Sequence, residues 1–196
     1  MIEAQRLTRR YGDFLAVSDV SFAIDSGEIV GLLGHNGAGK TTIMKMLTGY
    51  LEPSAGAVQV DGVTVESDPL SVQSSLGYLP ESLPLYPELS VVDYLEYAAR
   101  LRGVDPAVAV RKAIAATELE SKALEPISTL SRGFKQRVGV AQAILHEPKF
   151  LILDEPTNGL DPSQTQHMRQ LIQRLAESAT VILSTHIMQE VDAICG

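Results

Sequence analysis

Tryptophan is absent from the 196 residues, cysteine occurs once, and aromatic residues make up only 5% of the chain. A single thiol excludes a disulfide scaffold, and Cys195 has no partner at metal-binding or redox spacing. No uninterrupted apolar run approaches the roughly 18 residues that a membrane-spanning helix needs. The start, Met1-Ile2-Glu3-Ala4-Gln5-Arg6, lacks the apolar stretch of a signal peptide. Basic residues are the minority: 16 Lys and Arg stand against 24 Asp and Glu, for a net charge of −8. That balance repels nucleic acid unless a local patch overrides it. With 45% hydrophobic residues the chain is neither disordered nor fibrous. It is expected to fold as one cytosolic α/β domain, or one domain with an insertion.

Short apolar segments alternate with helical patterns. Ile29–Leu33, Phe150–Leu153 and Val181–Leu183 lack period-two alternation, which predicts strands buried in a parallel sheet covered by helices. Between the last two, Asp161 can cap a helix, Pro162 suits its first position, and Met168, Leu171, Ile172 and Leu175 recur at helical spacing. Residues 1–30 and 56–66 read instead as short strands broken by Gly12, Gly27, Gly56 and Gly62, hence an antiparallel sheet beside the parallel core. From about 88 to 130 the pattern turns helical. Ser90 and Asp93 resemble a capping box, with Tyr94, Leu95, Ala98 and Leu101 on one face and Gly103 as the stop. Asp105-Pro106 starts a second helix with Val110, Ala113, Ile114 and Thr117 on its face. The expected organisation is a core of residues 1–87 and 131–196 carrying a helical insertion at about 88–130.

The chemistry begins at Gly34-His35-Asn36-Gly37-Ala38-Gly39-Lys40-Thr41, which follows strand 29–33 and precedes a helical pattern with Ile43, Met46 and Leu47. This is G-x-x-x-x-G-K-[ST] in the strand–loop–helix context that gives it meaning. Its glycines let successive N–H groups point into one concavity, and the helix N-terminus adds partial positive charge. Lys40 is placed to reach the β- and γ-phosphates of a nucleotide, and the Thr41 hydroxyl to ligate Mg²⁺. Asp154-Glu155 follows strand 150–153 at the end where open parallel sheets bind ligands. There an Asp can hold the Mg²⁺ and the next carboxylate can polarise the attacking water. His186 closes the neighbouring strand, where its ring either contacts the γ-phosphate or is structural.

Residues 130–137, Leu-Ser-Arg-Gly-Phe-Lys-Gln-Arg, precede a further helical pattern. Together with the phosphate loop, the run from Phe150 to Pro162 and His186, they make the chain resemble the ATP-binding subunit of an ABC transporter. The resemblance runs from Tyr11 to His186 in the family's order. It implies an α/β P-loop NTPase fold with a parallel core sheet flanked by helices, an N-terminal antiparallel β subdomain and an inserted α-helical subdomain. It implies ATP and Mg²⁺ as cofactors, bound by Gly34, His35, Asn36, Gly37, Ala38, Gly39, Lys40, Thr41 and Thr42. Tyr11 would stack on adenine, or else pack as a strand-end residue. Asp154 would be the metal partner, Glu155 the general base and His186 the switch histidine. Ser131 and Gly133 would contact the γ-phosphate held by a second ATPase subunit, and residues 158–161 would bridge the two. The remaining expected partner is an integral membrane permease, engaged from Glu81 through the helical block, with the ATPase peripheral at the inner face of the cell membrane. No nucleic acid partner is expected.

Three positions in two motifs depart from the family pattern. Arg132 and Phe134 replace a glycine and a glutamine of the signature, while Ser131 and Gly133 are kept. Glu81 stands where the family usually has a metal-ligating glutamine; it is read as a third metal ligand beside Thr41 and Asp154, or as a solvated loop residue. The variants are similar to ATPases of bacterial ABC-2, gliding- and drug-export systems. Strands that the family usually carries beyond His186 are expected to be missing. The competing readings are an ABC ATPase acting on ribosomes or DNA, disfavoured by the single module and acidic charge, and a kinase or GTPase, disfavoured by the signature.

Overall fold

The computed structural model describes residues 1–195. Its first sheet is antiparallel. Strands β1 (Ile2–Tyr11) and β2 (Phe14–Ile24) form a hairpin, β1 pairs on its other side with β4 (Ala55–Val60), and β4 pairs with β5 (Val63–Thr64). The second sheet is parallel throughout, with β3 (Ile29–Leu33), β8 (Thr180–Thr185), β7 (Phe150–Asp154) and β6 (Leu76–Leu79) side by side in that order. Parallel neighbours need crossovers, and the helix between β7 and β8, α6 (Pro162–Ala176), supplies one. Asp161 caps α6 in a full capping box with Gln164, and Pro162 occupies the first turn.

Helix α1 (Lys40–Leu47) lies between the sheets. Its Ile43, Met44, Met46 and Leu47 share one cluster with Ile2, Leu7 and Val17 of the antiparallel sheet and Phe150, Ile152 and Ile182 of the parallel one. The alternate residues Leu151, Leu153, Val181 and Leu183 face the other way, onto Met168, Leu171 and Ile172 of α6 and Ile194 of α7 (Met188–Cys195). Every residue of β7 and β8 is buried, which explains the unbroken apolar runs Phe150–Leu153 and Val181–Leu183 within them. Full burial of each such side chain is worth about 2 kcal/mol, more than an exposed ion pair, so this double-faced core fixes where the strand ends fall.

The third cluster is helical. α3 (Val91–Leu101) and α4 (Pro106–Thr117) pack with α5 (Arg132–Ile144) around Leu95, Ala99, Val110, Ile114, Val138 and Ala141. The inserted block therefore shares its core with the helix that follows the signature segment.

Three local expectations need correction. β3 is only half-buried, because it is the outer strand of its sheet among the described residues. On α3 the inward face rotates toward Val91 and Ala99, and Leu101 on the last turn is 70% exposed. The Ser90–Asp93 box is half formed: Ser90 Oγ accepts from the Asp93 N–H, but the Asp93 carboxylate accepts from the Ser90 hydroxyl rather than its N–H. β6 and the short α2 (Pro69–Ser75) that leads into it were not anticipated as elements.

Glu118 ties the helical block to the core. It accepts from Arg137 Nη1 of α5 and from Arg174 Nη2 of α6, each at 2.8 Å. Hydrogen bonding from Arg137 holds its carboxyl below the ordinary value of 4.5. A lowered carboxyl pKa contributes stability that is present above the unfolded value and lost as pH falls through the folded one. Glu118→Gln is expected to reduce stability at pH 7 by up to ~1 kcal/mol. In urea unfolding measured against pH, the difference from the native chain should vanish well below pH 4.5.

Candidate functional site

The loop from Gly34 to Gly39 leaves the end of β3 and curls into α1. Gly34 N–H donates to the Thr185 carbonyl at 3.3 Å, which fastens the loop to the neighbouring strand. Gly37 and Gly39 have φ of +84° and +90°, and a Cβ on Gly39 would lie 2.6 Å from the Ala16 carbonyl oxygen. Only glycine fits there, in conformation and in space. No side chain caps α1 at Gly39, so the first-turn N–H groups stay available to an anion. Lys40 is 7% exposed, and its Nζ donates to the Gly34 and His35 carbonyls at 2.7 and 3.2 Å.

The ends of β7 and β8 meet this loop. Asp154 pairs with Ser184 in the parallel register, and Ser184 Oγ donates to Asp154 Oδ1 at 2.6 Å while accepting from the Glu155 N–H at 2.9 Å. Glu155 has φ +49°, an unusual conformation for a non-glycine residue and a local backbone strain held by these contacts. Its carboxylate lies between two partners, Lys40 Nζ at 3.3 Å from Oε1 and His186 Nδ1 at 2.9 Å from Oε2. Lysine, carboxylate and imidazole thus form one chain of contacts at the carboxyl end of the parallel sheet.

The donor set fits a hard divalent cation. Asp154 is fully buried, and its Oδ2 has no hydrogen-bond partner. A metal ion or its water would satisfy that oxygen at low desolvation cost. Thr41, Glu81 and Glu155 line one groove of about 450 Å³ together with Tyr11, Asn36, Gly37, Gly39, Lys40 and Thr42. Glu81 also lies 3.4 Å from Asn158 Nδ2, which links it to the loop after Glu155. At the groove's outer end Tyr11 is about half exposed beside Arg9, whose guanidinium sits 4.8 Å from the ring centroid. Phe14, cross-strand from Tyr11 and 63% exposed, is a second aromatic face that the sequence reading missed.

Ser131 and Gly133 do not join this groove. They line a separate depression with Phe134, Leu160, Gln164 and Met168. Ser131 caps α5, accepting from the Phe134 N–H at 3.4 Å, and the N–H groups of Arg132 and Gly133 begin that helix. A Cβ on Gly133 would lie 2.9 Å from Gln164 Cδ, so glycine lets α5 press against the start of α6. Arg132 is not simply solvated. Gly159 has φ +71°, and a Cβ there would lie 2.4 Å from Arg132 Cζ, so the guanidinium rests on the backbone of the 158–161 loop.

Ser184 is a further residue of this cluster that the sequence did not single out, although its hydroxyl lies at the end of the strand that leads to His186.

A parallel sheet whose strand ends face a G-x-x-x-x-G-K-T loop running into a helix, with a buried Lys40–Glu155 pair and a more exposed His186 beside it, defines the P-loop nucleoside-triphosphatase class. The description of the ABC transporter family matches residues 17–158, and the chain belongs to that family. It is 37% identical over 196 residues to the bacitracin transport ATP-binding protein BcrA of Enterococcus faecalis, across 99% of this chain and 64% of that protein. It is 39% identical over 199 residues to the Nod factor export ATP-binding protein I of Burkholderia pseudomallei, across 99% of this chain and 65% of that protein. The chain therefore spans just under two thirds of the length of these relatives. Among solved structures, CbiO1 of Clostridium perfringens, described as part of the ABC transporter complex cbiONQ, superposes with a TM-score of 0.88 at 29% identity. That match covers 99% of this chain and 81% of that one.

Ser184→Ala strips the buried Asp154 Oδ1 and Glu155 N–H of their shared partner. A loss of about 1–3 kcal/mol is expected, since both groups would be left unsatisfied; urea unfolding of the purified chain measures it.

Proposed function

We propose that this chain is the ATP-hydrolysing subunit of a membrane exporter, powering transport through nucleotide-driven closure of two such subunits. The observation that carries the reading is the convergence of Lys40, Asp154, Glu155 and His186 at one end of the parallel sheet. Catalysis of phosphoryl transfer is mostly positioning and charge stabilisation, which is what this arrangement offers. The backbone N–H groups of residues 34–42 bind the phosphates, and Lys40 exchanges its carbonyl partners for phosphate oxygens. Thr41, Asp154 and Glu81 would hold Mg²⁺, which would supply charge neutralisation when bound. Glu155 takes a proton from the attacking water as its oxygen bonds to the γ-phosphorus and the bond to the β–γ bridging oxygen breaks, releasing ADP and phosphate. His186 orients Glu155 and the γ-phosphate. Tyr11 stacks on the adenine.

The complete site needs a second ATPase subunit, of the same or a sister chain, arranged head to tail. Its counterparts of Ser131 and Gly133 then present a serine hydroxyl, helix N–H groups and a helix dipole to the γ-phosphate. Arg132, anchored on the 158–161 loop, adds a cation to the same edge. Closure carries the helical block, residues 88–130, as a rigid body. A permease is proposed to engage the segment from Glu81 through the helical block, beside a groove of about 210 Å³ lined by Tyr50, Gln73, Tyr78 and Arg102. That places the subunit on the inner face of the cell membrane. No described helix is long and apolar enough to cross a membrane. The net charge of −8 weighs against a nucleic acid partner.

Two substitutions test hydrolysis. Lys40→Ala should abolish ATP binding. Glu155→Gln should keep binding and lower kcat by ~10²-fold or more, the usual worth of a general base. Wild-type turnover in Glu155→Gln would contradict the assignment. Glu81→Gln should change the Mg²⁺ concentration needed for half-maximal ATPase, because one ligand charge is removed; an unchanged Mg²⁺ dependence would remove Glu81 from the metal site.

A further inference from the structure

Glu190 is 2% exposed and takes no part in the mechanism above. It sits on α7, and both of its oxygens are engaged. Oε1 accepts from the Thr157 hydroxyl at 2.6 Å and Oε2 from the Thr185 hydroxyl at 2.7 Å. Thr157 lies two residues beyond Glu155, in a turn closed by the Asn158 N–H on the Glu155 carbonyl at 3.1 Å. Thr185 immediately precedes His186, and its hydroxyl also accepts from the Ile187 N–H at 3.1 Å. Arg169 Nη2, 4.0 Å from Oε1, is the cation nearest to it. One carboxylate therefore pins the two chain segments that carry Glu155 and His186.

We propose that Glu190 is a positioning residue for ATP hydrolysis, clamping the turn after Glu155 to the strand end before His186 so that carboxylate and imidazole stay in register. This rests on the reading that Glu155 and His186 act on ATP. Anchoring α7 alone would not require a carboxylate, since an apolar residue of similar size packs a helix onto a sheet without desolvating a charge. The backbone of Glu155 points the same way. Its φ of +49° persists only where its surroundings fix it. Ser184 holds it on the N–H side, and the Glu190–Thr157 bond holds it on the other.

The test uses the full chain with Glu190→Ala and Glu190→Gln. Small misplacements of a reacting group cost up to about 10²-fold in rate. Glu190→Ala should therefore lower kcat by at least ~10-fold while the KM for ATP stays within about threefold. Glu190→Gln, which keeps one acceptor oxygen, should fall between Glu190→Ala and the native chain. In nucleotide-free protein, the NMR signal of the His186 ring should shift in Glu190→Ala while unfolding stays cooperative. A kcat within twofold of the native value overturns the proposal. So does a joint loss of kcat and ATP affinity with an unmoved His186 signal, which would make Glu190 an anchor for α7 only. If the native chain hydrolyses no ATP, the enzymatic reading fails by itself, and the His186 signal alone decides whether Glu190 sets that ring.

Discussion

Parallel pairing of β7 with β8, in the register that sets Asp154 beside Ser184, is the constraint on which the site depends. Both strands are buried on both faces, so a slip of one residue would exchange the cores above and below the sheet. That cost holds the register, and the register decides which side chains emerge together at the strand ends. Ser184 then links Asp154 to the Glu155 backbone, and Glu155 meets His186 directly. The polar cluster is placed by an apolar sandwich that contains none of it.

A second consequence concerns Lys40. Its ammonium is buried and satisfied by two carbonyls of its own loop and by Glu155. Removing a partner from such a buried ion pair commonly costs 3–5 kcal/mol. A triphosphate that draws Lys40 away must therefore replace Glu155 as the counter-charge and free that carboxylate at the same time. In the proposed function, binding and arming of the base would thereby be coupled through one lysine. The coupling needs no moving part beyond side chains that already touch.

Much of this was legible in the sequence because local rules and tertiary fold agree. The Gly34–Thr41 spacing, the unbroken apolar runs at 150–153 and 181–183 and the Asp161-Pro162 cap each correspond to a structural element where expected. Where the readings missed, the cause was tertiary. Ile29–Leu33 looks as buried as its neighbours, but strand order makes it an outer strand. Leu76–Leu79 is only four residues long and holds its place through pairing with β7, a contact that no local pattern encodes. The close packing of Gly133 on Gln164 of α6, with its N–H at the start of α5, is likewise a tertiary feature that no local pattern announces. Glu190 lies on a short helix whose sequence announces nothing, and its meaning comes from two threonines distant from one another in the chain.

The depression at Ser131 and Gly133 is separate from the groove at Lys40, and the proposed function rests on a second chain closing over that groove to complete the site. Light scattering on the Glu155→Gln chain, with and without Mg²⁺-ATP, tests it most directly. The account predicts monomers without nucleotide and, with it, a dimer retaining two ATP molecules. A monomer that stays saturated with ATP at every protein concentration, or a dimer indifferent to nucleotide, would contradict it.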